Sequence, residues 1–187
     1  MNRRKQSNQL TTSQIQKLRD AHDRAIEIGL PLNVFATVNS PDRLGIDHAL
    51  SAQTFRTFKN HIGQFGRRLG FQMAYAWVAE AGKPDGRDPH QHFLIHIPPP
   101  YYKRFHDIAH GWLPGANAVD VKPVDNMPGL LDYYLIKQSE EHGHTGSFIG
   151  KRFGVSKILR PSSMVYPIKS YRPLTAALSA PQQNSVF

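Results

Sequence analysis

Residues 73–98 constrain the fold more than any other stretch of the chain. Met73 to Glu80 and Gln91 to Ile97 are two strand-like runs, and the loop between them, Ala81-Gly-Lys-Pro-Asp-Gly-Arg-Asp-Pro89, is built of turn residues. A hairpin satisfies both, and Pro98-Pro99-Pro100 closes its second strand. Side chains alternate across a strand, so His90, His92, Leu94 and His96 share one face while Phe93, Ile95 and Ile97 take the other. If residue 80 pairs with 90, then 78 pairs with 92, and opposed residues share a face. A one-residue slip would turn Glu80 away from the histidines.

The flanking segments supply helices and two more strands. Ile15, Leu18, Ala21, Ala25 and Ile28 are spaced for a helix over about 12–28, ended by Leu30-Pro31. Asn33 to Val38 reads as a short buried strand. Phe55, Phe58, Ile62, Phe65 and Leu69 mark the apolar stripe of a helix over about 51–69. Beyond the hairpin come a helix from Tyr102 to Trp112, a strand from Ala118 to Val124, and a last helix over about 128–139. After the first helix the order is β-α-β-β-α-β-α. Two β-α-β units around a hairpin predict an α+β, ferredoxin-like (RRM-like) antiparallel sheet packed with helices. The domain is expected over 12–155, preceded by a loose basic arm at 1–11 and followed by an irregular extension at 156–187.

Composition narrows the chemistry. The chain has 187 residues and no cysteine, which removes disulfides, thiolate zinc sites, iron–sulfur clusters and Cys nucleophiles. Metal ligands must then be His and carboxylates. Lys and Arg exceed Asp and Glu by 23 to 14, a balance that suits a nucleic-acid partner. No run is long and apolar enough for a membrane span, and no apolar segment follows the basic start, so a cytoplasmic protein is expected. Gly146 to Arg152 has the look of a phosphate loop but is one residue short and lacks the Ser/Thr.

His90 and His92 stand roughly 6–7 Å apart along a strand and can converge on one ion, whereas His96 lies a further ~13 Å away. With Glu80 across the hairpin they make a two-imidazole, one-carboxylate cluster suited to Mn²⁺, Mg²⁺ or Zn²⁺, with positions open for water or phosphate. In the last helix, Tyr134 and Lys137 are three residues apart and share a side. Tyr134 is a candidate nucleophile and Lys137 a source of charge stabilisation. Tyr133 points ~100° away, so a single nucleophile is expected, with Tyr133 as the alternative.

The order of these parts resembles the HUH endonucleases, and among them the rolling-circle replication initiators of plasmids and phages. The resemblance covers about residues 33–140. Phe35 to Asn39 corresponds to the first family motif, His90 and His92 to the paired metal-binding histidines with Glu80 as the upstream acid, and Tyr134 with Lys137 to the tyrosine motif. Gln91 departs from the pattern, which places an apolar residue between the histidines. The resemblance implies Mn²⁺- or Mg²⁺-dependent nicking and joining of single-stranded DNA through a 5′-phosphotyrosine link. It implies an origin or hairpin as the DNA partner, with a host helicase as a further candidate. Arg67, Arg68, Lys83, Arg87, Lys103 and Arg104 are the candidate backbone contacts. Rival readings are a related transposase or relaxase, or a catalytically silent nucleic-acid-binding module. A zinc hydrolase on His106 and His110 lacks the glutamate of H-E-x-x-H.

Overall fold

The computed structural model describes residues 6–125, 127–131 and 135–160. The elements in chain order are β1 (Gln6–Ser7), α1 (Thr12–Glu27), β2 (Val34–Asn39), α2 (His48–Leu69), β3 (Tyr75–Ala81), β4 (Pro89–Ile95), α3 (Tyr102–Ala109), β5 (Val119–Pro123), α4 (Met127–Leu130), β6 (Phe148–Ile149) and β7 (Phe153–Val155). Short 3-10 turns at Pro99–Tyr101 and Lys157–Leu159 complete them.

The main sheet runs β5-β2-β4-β3-β7, every neighbouring pair antiparallel. Its first four strands have the ferredoxin-like order, in which each helix crossover carries the chain past one intervening strand. The histidine-bearing β4 is therefore central, flanked by β2 and β3. Both faces are covered. On one, Phe55, Phe58, Ile62 and Phe65 of α2 and Phe105 and Ala109 of α3 pack on Val34, Ala36, Trp77, Phe93 and Ile95. On the other, Ile15, Leu18, Ala21 and Ala25 of α1, with Leu131, Leu135 and Ile136, pack on Phe35, Ala76, Val78 and Leu94.

The helix ends follow local chemistry. Thr11 and Gln14 form a reciprocal capping box that starts α1. Asp47 accepts a hydrogen bond from the Leu50 N–H at 2.8 Å, so α2 begins three residues before the expected start. Gly70, at φ +74°, ends it in the left-handed region.

Three expectations change. The helix expected over 128–139 is α-helical only at Met127–Leu130 in the described residues. The Ile136 N–H reaches back five residues to the Leu131 carbonyl, and Ser139 then pairs in parallel with Leu10. Buried Gln138 and Ser139 are drawn to partners on other segments, and an α-helical path would break those bonds. Residues 6–10 of the expected arm are packed: β1 pairs with β6, and Leu10 is fully buried. The sheet, expected from four strands, gains a fifth at its edge: β7, from the segment after Gly143. There Gly154 lies so close to Trp77 that a Cβ would meet its ring at 2.7 Å. Most of the expected extension, residues 161–187, lies outside the described residues.

Candidate metal centre

The hairpin adopts the register that joins the acid to the histidines. Glu80 is opposite His90, and Val78 is opposite His92. From the other side, β2 sets Asn39 against His90 and Thr37 against His92. Alternation puts Glu80, His90, His92, Thr37 and Phe35 on the α1 side of the sheet, at the end where α1 and the Leu131–Ile136 cluster stop covering it. Ligand atoms of Glu80, His90 and His92 all lie within 4.8 Å of one another. His90 Nε2 stands 3.8 Å from Glu80 Oε2.

The imidazoles are oriented by their second nitrogens. His90 Nδ1–H donates to the Asp88 carbonyl at 2.9 Å, which leaves the lone pair on Nε2. His92 Nδ1 is 3.1 Å from Thr37 Oγ1, and Phe35 stacks on the His92 ring at 5.2 Å. This contact engages Nδ1 and leaves Nε2 as the nitrogen facing the cluster; with Nδ1–H donating to the hydroxyl, the ring is in the tautomer that ligates through Nε2.

Glu80 carries the strongest sign of a missing partner. It is fully buried, and neither carboxylate oxygen has a hydrogen-bond partner among the described residues. Its nearest cation is Lys137, whose Nζ stands 3.7 Å from Oε2, an ion pair beyond hydrogen-bond reach. Burial pushes the carboxyl up to about 7, against the opposing pull of Lys137 and then Arg152. Burial likewise depresses both histidines; His92 is held well below the ordinary imidazole range, with the His90 and Lys137 charges adding to the effect. A native structure rarely leaves a carboxylate so placed. Two neutral imidazoles beside it complete a donor set that fits a divalent ion.

Arg152 is a second buried feature, and the sequence carries no signal for it. Only 3% exposed, it donates to Ser7 Oγ (3.0 Å), to the Ser7 carbonyl (2.8 Å), to Gln138 Oε1 (3.0 Å) and to the Gly146 carbonyl. Gln138 Nε2 in turn donates to the Ala81 carbonyl, the residue after Glu80. This network ties β1, the 138–146 segment and the end of β3 together behind the carboxylate. Thr37 was legible by strand alternation. Arg152 was not, since its partners Ser7 and Gln138 are distant in sequence.

The remaining candidates divide by place. Lys137 reaches the cluster. Tyr134 and Tyr133 lie outside the described residues. Lys83 and Arg87 sit exposed on the hairpin loop next to the cluster, Arg87 paired with Asp85 at 2.8 Å. Arg67 and Arg68 are in the last turn of α2, and Lys103 and Arg104 open α3; both ends lie at the sheet's opposite edge from the cluster, where β3 begins and β4 ends. The structure does not bring these four to the candidate site. His96 does not join the cluster either; its Nδ1 bonds the Pro31 carbonyl at 2.8 Å. No helix of the described residues is long and apolar enough to cross a membrane. Scans against protein-family models, curated proteins and solved structures each return no match for this chain.

Proposed function

We propose that the protein is a metal-dependent nickase and ligase of single-stranded DNA that starts rolling-circle replication of a plasmid or phage, acting through a tyrosine. The reading rests on one observation above all: the buried Glu80 carboxylate, without a hydrogen bond among the described residues, set against His90 and His92. These three residues would hold the ion, with Mn²⁺ or Mg²⁺ the expected metal. When bound, the ion supplies Lewis-acid polarisation of a scissile phosphate. Asp88 and Thr37 keep the two imidazoles in ligating orientation. Lys137 brings positive charge beside the same point.

Tyr134 is the proposed nucleophile. Its phenolic oxygen forms a bond to phosphorus as the bond to the preceding 3′ oxygen breaks. The phenol's proton is lost, and the leaving oxygen takes up a proton to become a free 3′-hydroxyl. The strand's 5′ side remains as a phosphotyrosine diester, which keeps the bond energy. A 3′-hydroxyl attacking that diester rejoins the DNA and returns the tyrosine, so no nucleotide triphosphate is consumed.

The test is adduct formation. The full chain is incubated with Mn²⁺ and single-stranded oligonucleotides tiled across origin and hairpin sequences of its own replicon, and resolved in SDS. A protein–DNA adduct that disappears with Tyr134→Phe, with Glu80→Ala and with chelator supports the reading. An adduct that survives Tyr134→Phe and vanishes with Tyr133→Phe reassigns the nucleophile. Tight DNA binding with no adduct from any oligonucleotide overturns the enzyme reading in favour of a silent binding module.

A further inference from the structure

The residue between the two histidines opens a second site on the other side of the sheet. Gln91 departs from the apolar pattern, and alternation turns it away from the metal cluster, between Val38 and Ala79 of the neighbouring strands. It is only 3% exposed, and its Oε1 is buried with no hydrogen-bond partner among the described residues. Leaving such an acceptor unpaired is costly unless something fills the role.

Gln91 lines a cavity of about 300 Å³ between the first half of α2, the β3–β4 side of the sheet and the β6 turn. That volume is at the lower end of small-molecule sites. Arg56, Lys59 and Lys151 also line it, and no acidic residue does. Lys59 and Lys151 both stand over the Trp77 ring, at 4.5 and 5.7 Å, so the cations are gathered around one point. Burial and the neighbouring charges of Lys151 and Arg56 hold the Lys59 ammonium below its usual range, the mark of like charges crowded without a counter-ion.

Cations at the mouth call for an anion, and a phosphate meets all three. The buried acceptor calls for a donor farther in. A side-chain amide presents an acceptor beside a donor, the complement of an adenine edge. We propose that this cavity binds a nucleotide unit, with its phosphate against Arg56, Lys59 and Lys151 and its base, adenine by preference, on Gln91. The unit is either a free nucleotide or one residue of a strand. The proposal stands independently of the nicking reading, because it uses the opposite face of β4 and needs no metal.

Calorimetric titration of the full chain in chelator, with dAMP, adenosine, inorganic phosphate and a short oligo(dA), tests it. Saturable 1:1 binding of dAMP at least about tenfold tighter than either phosphate or adenosine is expected. Lys59→Met and Arg56→Gln should each weaken dAMP at least about fivefold, and Gln91→Leu should bring dAMP down to the affinity of inorganic phosphate. Oligo(dA) binding much more tightly than dAMP identifies a strand as the source; equal affinity identifies a free nucleotide. Glu80→Ala should bind dAMP like the unaltered chain. The proposal is overturned if dAMP binds no better than phosphate, if both cation variants, shown folded by thermal unfolding, leave it unchanged, or if Glu80→Ala abolishes it.

Discussion

Two histidine pairs bring their rings into contact among the described residues, and only one of them makes a candidate metal centre. His90 and His92 lie on a strand with ring centroids 4.7 Å apart; His106 and His110 lie four apart on α3 with centroids 5.0 Å apart. Proximity alone does not separate them. The partners do. His110 Nδ1 is used by the Val119 carbonyl at 2.8 Å, and His106 faces its neighbour Asp107 at 3.5 Å in a side chain 44% exposed to solvent. Asp107 itself is taken by Lys103 at 2.7 Å. Around His90 and His92 the carboxylate is fully buried and has no hydrogen bond among the described residues. The helix pair has Val119, Asp107 and its exposure to solvent; among the described residues Glu80 has only the Lys137 ammonium, beyond hydrogen-bond reach. What distinguishes a ligand set from a histidine pair is therefore the unmet charge of the third group.

The largest expected effect comes from that third group. Glu80→Ala should lower Mn²⁺ affinity about a thousandfold, beyond the 10–100-fold typical of an outer-shell partner, while His106→Ala with His110→Ala together changes it less than about twofold. Electron paramagnetic resonance titration of free Mn²⁺ reads both. If the helix pair proves to be the one that matters, the distinction drawn from burial fails.

Next is the network behind Glu80. Arg152→Met removes hydrogen bonds to the Ser7 carbonyl, the Gly146 carbonyl and Gln138, and should cost about 3 kcal/mol in urea unfolding. The equivalent change at an exposed cation on α3, Lys103→Met, should cost less than about 0.5 kcal/mol. A small loss at Arg152 would mean that the buried network does not hold the carboxylate in place.

The cluster of Glu80, His90 and His92 was largely legible because its geometry is local. The short loop between Ala81 and Pro89, which pair with each other, brings Glu80 to His90, and the two-residue period of a strand does the rest. The ferredoxin-like order was legible for the same reason, from β-α-β units of ordinary length. The misread segments share another cause. Leu131, Leu135 and Ile136 fit a helical stripe, yet the chain beyond them is set by Leu10 and Ala81, far away in sequence. β7 is three residues long, and what seats it is Gly154 against Trp77. Arg152 looks like any basic residue in a glycine-rich stretch until Ser7 is placed beside it. Such long-range pairings leave no periodicity to read.

The pH dependence of stability sharpens the contrast further. The Glu80 carboxyl sits at about 7 in the folded protein and near 4.5 when exposed, so the folded state keeps its proton while the unfolded chain loses it. Metal-free protein therefore loses stability from this group as pH rises from about 4.5 to about 7, by up to about 3 kcal/mol. His90 and His92 are depressed and act in the opposite direction below about 6.5, so the difference between unaltered protein and Glu80→Gln isolates the carboxyl. The variant should match the unaltered chain near pH 4.5 and exceed it at pH 8 in chelator. Equal stability at both pH values would show that Glu80 is not charged at a cost.

Lys137 gives the smallest effect and the finest distinction, because a cation beside a metal ligand can serve the ligand or compete with the ion. Its Nζ, 3.7 Å from Glu80 Oε2, lies close enough to repel a bound divalent ion while stabilising the bare carboxylate. Lys137→Met should then raise Mn²⁺ affinity about threefold at pH 8.5, where Glu80 is ionised with or without the ammonium. At pH 6.5 the gain should vanish, since without Lys137 the carboxyl holds its proton more firmly and the ion must displace it. The same variant should form adduct more slowly at both pH values if the ammonium also faces the phosphate. Weaker metal binding at pH 8.5 would reverse the assignment: Lys137 would then be holding the shape of the site, and its charge would be serving Glu80 alone.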